Sequence, residues 1–351
     1  MNHSKVSELY NRHYGGLFLF IAALVIVPFV ANSFLLSVLI LVGLYGIVTT
    51  GLTMLMGYAG QISLGHAAFY GIGAYASAVM TGTYGMPGIV GILVGVAFAG
   101  TVAVLIGIPT LKLKENYLAL ATLGFGIIIF TFFKELKEIT GGLNGFFGIP
   151  SFNLFGFAFD TDLKFYFLIW ALLIVGILFS KNIIDSRVGR ALRSIHGSDV
   201  AANSIGVNIQ QYKLKVFVLS AVYASVAGSL YAHYVTFINP NLFTAMESIT
   251  FLIMVVIGGS ANIWGGMIGA IVYVLLNELL KEVVPMFFPN VGGEFQIVFF
   301  GILLVAILIY MPQGLAPTLG KVWRRLAGRK NKKAAVTGPP NADATVGGSK
   351  S

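Results

Sequence analysis

The sequence predicts an all-α integral membrane protein, a polytopic bundle of about ten transmembrane helices, with eight also compatible. Three observations lead there. The chain is 57% hydrophobic and only 10% charged, with a mean hydropathy of +0.87, whereas a soluble domain carries roughly 25% charged residues to cover its surface. Its apolar runs are long and lack the dyad alternation of a membrane barrel. Its Lys and Arg gather in alternate connections, the pattern that orients helices in a bilayer.

Taken in order, the apolar segments are 17–31, 34–56, 63–80, 88–109, 117–133, 163–181, 213–237, 247–259, 264–281 and 295–311. The eighth is short for a full crossing and reads as tilted, broken or re-entrant. One set of connections holds the N-terminus, Lys112, Lys114, the basic stretch 181–215 and the tail with Lys321, Arg324, Arg325, Arg329, Lys330, Lys332 and Lys333. In the opposite set, Lys134 and Lys137 are matched by Glu135 and Glu138. Both termini are therefore expected in the cytoplasm, which requires an even number of spans. The expected organisation is a cytoplasmic tail over 1–16, a transmembrane domain over 17–316 with a cytoplasmic segment at 187–210, and a basic, then disordered, tail over 317–351. No small-residue cleavage site follows the first apolar run, so no removable signal peptide is expected.

The net charge of +9 resides in short loops and tails, so it reports orientation and contact with anionic lipid rather than nucleic-acid binding. With no cysteine there is no disulfide, thiolate or iron–sulfur chemistry. Histidines and carboxylates show no metal-ligand spacing, and no nucleophile, base and orienting acid come together, so neither a metal nor a catalytic site is expected. The loop 134–162, rich in Gly, Phe and Asn, is too small for its own core and is expected to pack on the bundle as a plug or lid.

Two stretches stand out. Gly57 to Phe69 (GYAGQISLGHAAF) breaks an apolar sequence with glycines and hydrogen-bonding side chains. Free backbone groups are tolerated in hydrocarbon only against protein or a wet cavity. Gly60, Gln61, Ser63, Gly65 and His66 are thus candidates to line a pathway, the alternative being a tight bend whose glycines let helices approach. The second stretch, Arg187 to His196, places Leu192 and Ile195 on one helical face and arginines on the other. Ser198 or Asp199 then caps a second short helix, Val200 to Ile205, Gly206 supplies its stop, and Asn208 with Gln211 opens the next span. Such a pair of helices rests on lipid or docks a soluble partner.

Polar residues within the spans are few. Glu278, near one span's end, and Glu247, at another's start, read as interface groups, while His66, His233 and Asn262 read as bonded to neighbouring helices. Thr49, Thr50 and Thr53 are expected to bond back to their own helix.

The spacing Ala201-Ala202-x3-Gly206 resembles the Glu-Ala-Ala-x3-Gly coupling motif of importer-type ABC permeases, with Val200 where that motif has glutamate and Asp199 one place earlier. The runs GYAGQISLGHAAFYGIGAYASA, Gly189–Tyr231 and Val256–Gly269 resemble LivM-type permease subunits of branched-chain amino-acid ABC importers, a similarity spanning roughly residues 35–315. The resemblance implies a transmembrane path for Leu, Ile or Val shared with a homologous, LivH-like permease. It also implies two ATP-binding subunits (LivG/LivF-like), an extracytoplasmic binding protein, and a place in a bacterial or archaeal inner membrane. Gly189, Arg190, Arg193, Val200, Ala201, Ala202, Ile205 and Gly206 would then be the ATPase-coupling residues. The chain has no G-x-x-x-x-G-K-[ST] loop, so it is expected to use no cofactor itself, ATP being bound by partners. Permeases for urea or short amides are related alternatives. A self-sufficient channel or ion-coupled carrier is the alternative of a different class, and would place charged groups at mid-membrane.

Overall fold

In the computed structural model, residues 24–113, 115–154 and 156–287 are described, together with several positions between 301 and 318. The chain is a multi-pass helical bundle. Its elements are α1 (Ser33–Thr53, prolonged by a π-turn, Met54–Tyr58), α2 (His66–Ala78, prolonged by a π-turn, Val79–Thr83), α3 (Gly88–Thr110), α4 (Glu115–Glu135) and the short α5 (Lys137–Thr140). The two-residue strands β1 (Phe146–Phe147), β2 (Asn153–Leu154) and β3 (Phe157–Ala158) precede α6 (Asp162–Asp185), α7 (Arg187–Gly197), α8 (Asp199–Ser204) and α9 (Ile209–Val235). β4 (Phe237–Ile238), α10 (Ala245–Gly258) and α11 (Ile263–Phe287) follow.

Among the described residues, 6 helices are long and apolar enough to cross a membrane: Ser33–Tyr58, Gly88–Thr110, Tyr117–Glu135, Asp162–Asp185, Ile209–Val235 and Ile263–Val283. The expected segment 17–31 is described from residue 24 onward and is helical over 24–30, while 295–311 lies largely outside the described residues, as do the tails 1–16 and, Thr318 apart, 317–351. Segments 63–80 and 247–259 are the two that differ in kind. The α-helical part of α2 has 13 residues, about 20 Å of rise, against a hydrocarbon core of about 30 Å. The 14-residue α10 is equally short.

Small residues explain how the core closes. In lipid, helices associate through close packing rather than water exclusion, so small side chains at the seams matter most. α2 and α9 run side by side in the same direction: His66 meets Ser220 at one end and Ser77 meets His233 at the other. Between these points a Cβ on Gly73 would strike the Ser225 carbonyl and one on Gly228 the Tyr70 carbonyl. Every residue of α2 except Ala76 is buried. α1, packed against α6, α9, α10 and α11, is also central, whereas α3, α4 and α6 leave apolar faces open at the perimeter.

The expected lid over 134–162 packs on this bundle. β1 pairs with β4 antiparallel, Phe146 opposite Ile238, and β2 with β3 form a second small hairpin. Ile149 and Phe152 are buried, and His233 Nδ1 lies 2.8 Å from the Pro150 carbonyl oxygen. Thr49, Thr50 and Thr53 bond to carbonyls of their own helix, as expected.

Candidate functional site

The broken stretch lies inside the protein. After the π-turn, Gly60 takes φ +65°, a left-handed conformation glycine adopts freely. The chain then runs non-helically to His66, and the Gln61 N–H donates to the Leu55 carbonyl at 3.1 Å. His66 is fully buried, its Nδ1 3.0 Å from Ser63 Oγ and its Nε2 2.6 Å from Ser220 Oγ on α9. A neutral imidazole donates with one nitrogen and accepts with the other, so both ends are satisfied. Leu64 N donates to Thr122 Oγ1 of α4 at 2.9 Å, and Ala67 N to Ser248 Oγ of α10 at 2.9 Å. A Cβ on Gly65 would sit 2.7 Å from the Thr122 carbonyl oxygen. The structure therefore gathers Ser63, Gly65 and His66 into one packed junction of α2, α4, α9 and α10. Gln61, buried beside it, keeps its side-chain oxygen without a hydrogen-bond partner. Packing dominates here, with Gln61 the exception.

α10 brings in a residue that the sequence reading placed at an interface. Its far end reaches the end of α1, where a Cβ on Gly57 would strike the Ser260 carbonyl and the Tyr58 hydroxyl lies 3.4 Å from the Ala261 carbonyl oxygen. Its start lies beside Tyr45, halfway along the Ser33–Tyr58 span, and Glu247 hydrogen-bonds the Tyr45 hydroxyl there. Glu247 is thus an intramembrane carboxylate, correcting the expectation of a solvated interface group. The shortness of segment 247–259 was the signal: half a crossing must begin or end at depth. Glu278, by contrast, pairs with Lys281 at 2.7 Å and fits the interface reading.

At the basic end of the bundle the two short helices form as the sequence predicts. Ser186 caps α7, its Oγ accepting from Val188 N at 3.1 Å, and Ser198 caps α8, accepting from Ala201 N at 3.3 Å. α8 stops with Gly206 at φ +81°, Gly206 N donating to the Asn203 carbonyl and Val207 N to the Ala202 carbonyl. This is the paired bonding of a Schellman stop. Asn208 Oδ1 then accepts from Gln211 N and opens α9. Leu192 and Ile195 are buried, Arg190 exposed.

Within this segment the roles divide differently from the expectation. Ala202 is 1% exposed and faces the chain's own interior, whereas Val200 and Ile205 are 79% and 74% exposed. Ala201 is also exposed. Ala202 is therefore part of the local core, and the outward apolar pair is Val200 with Ile205. Arg193 stays exposed but folds back on the chain, donating to the Ile184 carbonyl at 2.7 Å, its guanidinium 5.9 Å from the centroid of the Tyr58 ring. Gly189 sits where a Cβ would strike the Ile184 carbonyl, which makes the sharp α6–α7 bend possible. Asp199 pairs with Lys213 of α9 at 2.7 Å. Between the broken stretch and this segment, Ala59, Leu113, Ile195, His196, Ser198, Asp199 and Lys213 line a concavity of about 180 Å³.

A sequence profile described as "Branched-chain amino acid transport system / permease component" matches residues 34–308. The chain belongs to this family. It is 32% identical over 326 residues to the LivM permease protein of the high-affinity branched-chain amino acid transport system of Escherichia coli K12, covering 85% of this chain and 75% of that protein. It is 26% identical to a probable LivM permease of Methanocaldococcus jannaschii, over 80% of this chain and 92% of the relative. The LivH permease of Salmonella typhimurium is 25% identical, over 77% and 90%. No solved structure matches. A permease component is not itself the catalytic part of such a system, in keeping with the lack of a phosphate-binding loop in this sequence.

Proposed function

We propose that this chain is one of two homologous permease subunits forming the translocation path of an ATP-driven importer for branched-chain amino acids in a bacterial or archaeal cytoplasmic membrane. Two ATP-binding subunits drive it, and an extracytoplasmic binding protein delivers leucine, isoleucine or valine. Likeness to LivM and LivH relatives supports the substrate class and the second permease. The observation that carries the coupling role is α8 itself. A short helix capped at both ends presents Val200 and Ile205 to solvent on the basic side. An apolar pair so exposed on a rigid element suits burial in a groove of a soluble subunit.

Arg193 extends the reading inward. Its guanidinium lies over Tyr58, at the end of the π-turn that leads into the broken stretch. A displacement of α7 and α8 is thereby passed to the junction of α1, α2 and α10 through one packed contact. The amino-acid path itself runs along the face this chain shares with the second permease, with Gln61 beside it.

Uptake of radiolabelled leucine by cells with and without this subunit tests the reading. Uptake that depends on the subunit, together with co-purification of two ATPase subunits, is the expected result. Subunit-dependent uptake of urea but not leucine, or leucine uptake by the purified chain without any ATPase, contradicts it.

A further inference from the structure

Glu247 is a carboxylate held at depth, and among the described residues no cation pairs with it. The ion pairs among the described residues join Lys164 to Asp160, Lys213 to Asp199 and Lys281 to Glu278, and none reaches Glu247. Its carboxylate accepts a hydrogen bond from the Tyr45 hydroxyl. An intramembrane acid without a counter-charge is costly to keep, and such groups ordinarily mark a substrate or ion pathway.

Its surroundings narrow the chemistry. Phe251, one turn further along α10, packs edge-on against Tyr45 and Tyr70 with ring centroids 5.6 Å away in both cases. Tyr70 also stacks obliquely on Tyr231 at 5.5 Å and on Phe243 at 5.7 Å. The Tyr70 hydroxyl is buried without a hydrogen-bond partner. A carboxylate beside Tyr45, at the edge of this aromatic cluster, suits an organic ammonium, which gains from both charge and ring. A metal ion wants several oxygen or nitrogen ligands, and no group of three or more His, Cys, Asp or Glu capable of holding one occurs among the described residues. Tyr45, Tyr231 and Glu247 are partly accessible, so a ligand can reach the carboxylate.

We propose that Glu247 receives the α-ammonium group of the transported amino acid, beside the partly accessible rings of Tyr45 and Tyr231. This assignment rests on the importer reading above. Free glutamate and ammonium groups are both strongly hydrated, so pairing them offsets the cost of taking the zwitterion into the membrane.

The test is leucine uptake by the assembled importer in proteoliposomes, driven by leucine-loaded binding protein. Glu247→Gln keeps the shape and an acceptor for the Tyr45 hydroxyl but removes the charge; Glu247→Asp keeps the charge on a shorter arm. The proposal expects about tenfold or greater loss of uptake in Glu247→Gln, the scale of a lost charge-assisted hydrogen bond. Glu247→Asp should retain clearly more, with ATPase association normal in both. A purely structural role gives the reverse order, because glutamine preserves the Tyr45 bond, and that order overturns the proposal. Should Glu247→Gln fail to assemble, Glu247→Asp carries the test: retained uptake supports the proposal, and loss of uptake from a normally assembled Glu247→Asp complex overturns it. If the wild-type complex takes up no leucine, the importer reading fails too. If the wild type and Glu247→Gln take it up equally, only the ammonium assignment fails.

Discussion

The broken stretch after α1 and the segment joining α6 to α9 look alike in sequence: glycines, small residues and hydrogen-bonding side chains interrupt apolar runs. In the fold they differ. Around His66 the polar groups are consumed within the chain by Ser63, Ser220, Thr122 and Ser248. On α8 the caps satisfy only the backbone, and the apolar side chains Val200 and Ile205 are left in solvent. The first region is arranged to hold helices together; the second leaves an apolar pair exposed, as the proposed docking to a soluble subunit requires. Substitutions should separate the two, since a packing residue affects abundance and transport together whereas a docking residue affects transport alone.

Gly57→Val should have the largest effect. Its Cβ would strike the Ser260 backbone, which cannot yield like the end of a side chain, so a cost of about 3 kcal/mol or more is expected. Immunoblotting of membranes alongside leucine uptake should show both falling in proportion. A normal amount of inactive protein would break the comparison and make this stretch a path element. His66→Ala comes next, at about 2–4 kcal/mol, from a cavity and two stranded hydroxyls. Thermal melting in detergent should show the loss, and His66→Gln, which can keep one bond, should recover part of it. An unchanged melting temperature in His66→Ala would mean that the Ser63–His66–Ser220 chain contributes nothing to packing.

Gly206→Ala sharpens the other side. Nothing lies within 4 Å of the added Cβ, so the cost is the left-handed backbone alone, about 1–2 kcal/mol, confined to the end of α8. Abundance should stay near wild type while ATPase co-purification weakens. Parallel loss of both would show that α8 supports the bundle rather than a partner.

How much of this was legible in the sequence follows from the range of the forces involved. The caps at Ser198, Gly206 and Asn208 bridge three to five residues, so local spacing reveals them. The burial of Ala202 and the contacts of Arg193 with Ile184 and Tyr58 depend on how α7 and α8 meet α6, α9 and α1, which no local pattern records. Glu247 shows the same limit for depth. At the start of an apolar run it reads as an interface residue, and only the packing of α10 along α1 places it halfway down. The glycine-rich break at 57–69 was visible as an interruption, but glycines that line a path and glycines that seat a helix look identical until their neighbours are known.

The most direct test of the division is the double variant Val200→Glu, Ile205→Glu. Both side chains are exposed, so stability should change by less than about 0.5 kcal/mol and membrane abundance should match wild type. In reconstituted complexes the account expects ATPase subunits to dissociate and leucine uptake to fail, while the binding protein's affinity for leucine is unchanged. Normal ATPase association with normal uptake in that variant would contradict the account and leave α8 as a helix resting on the lipid surface.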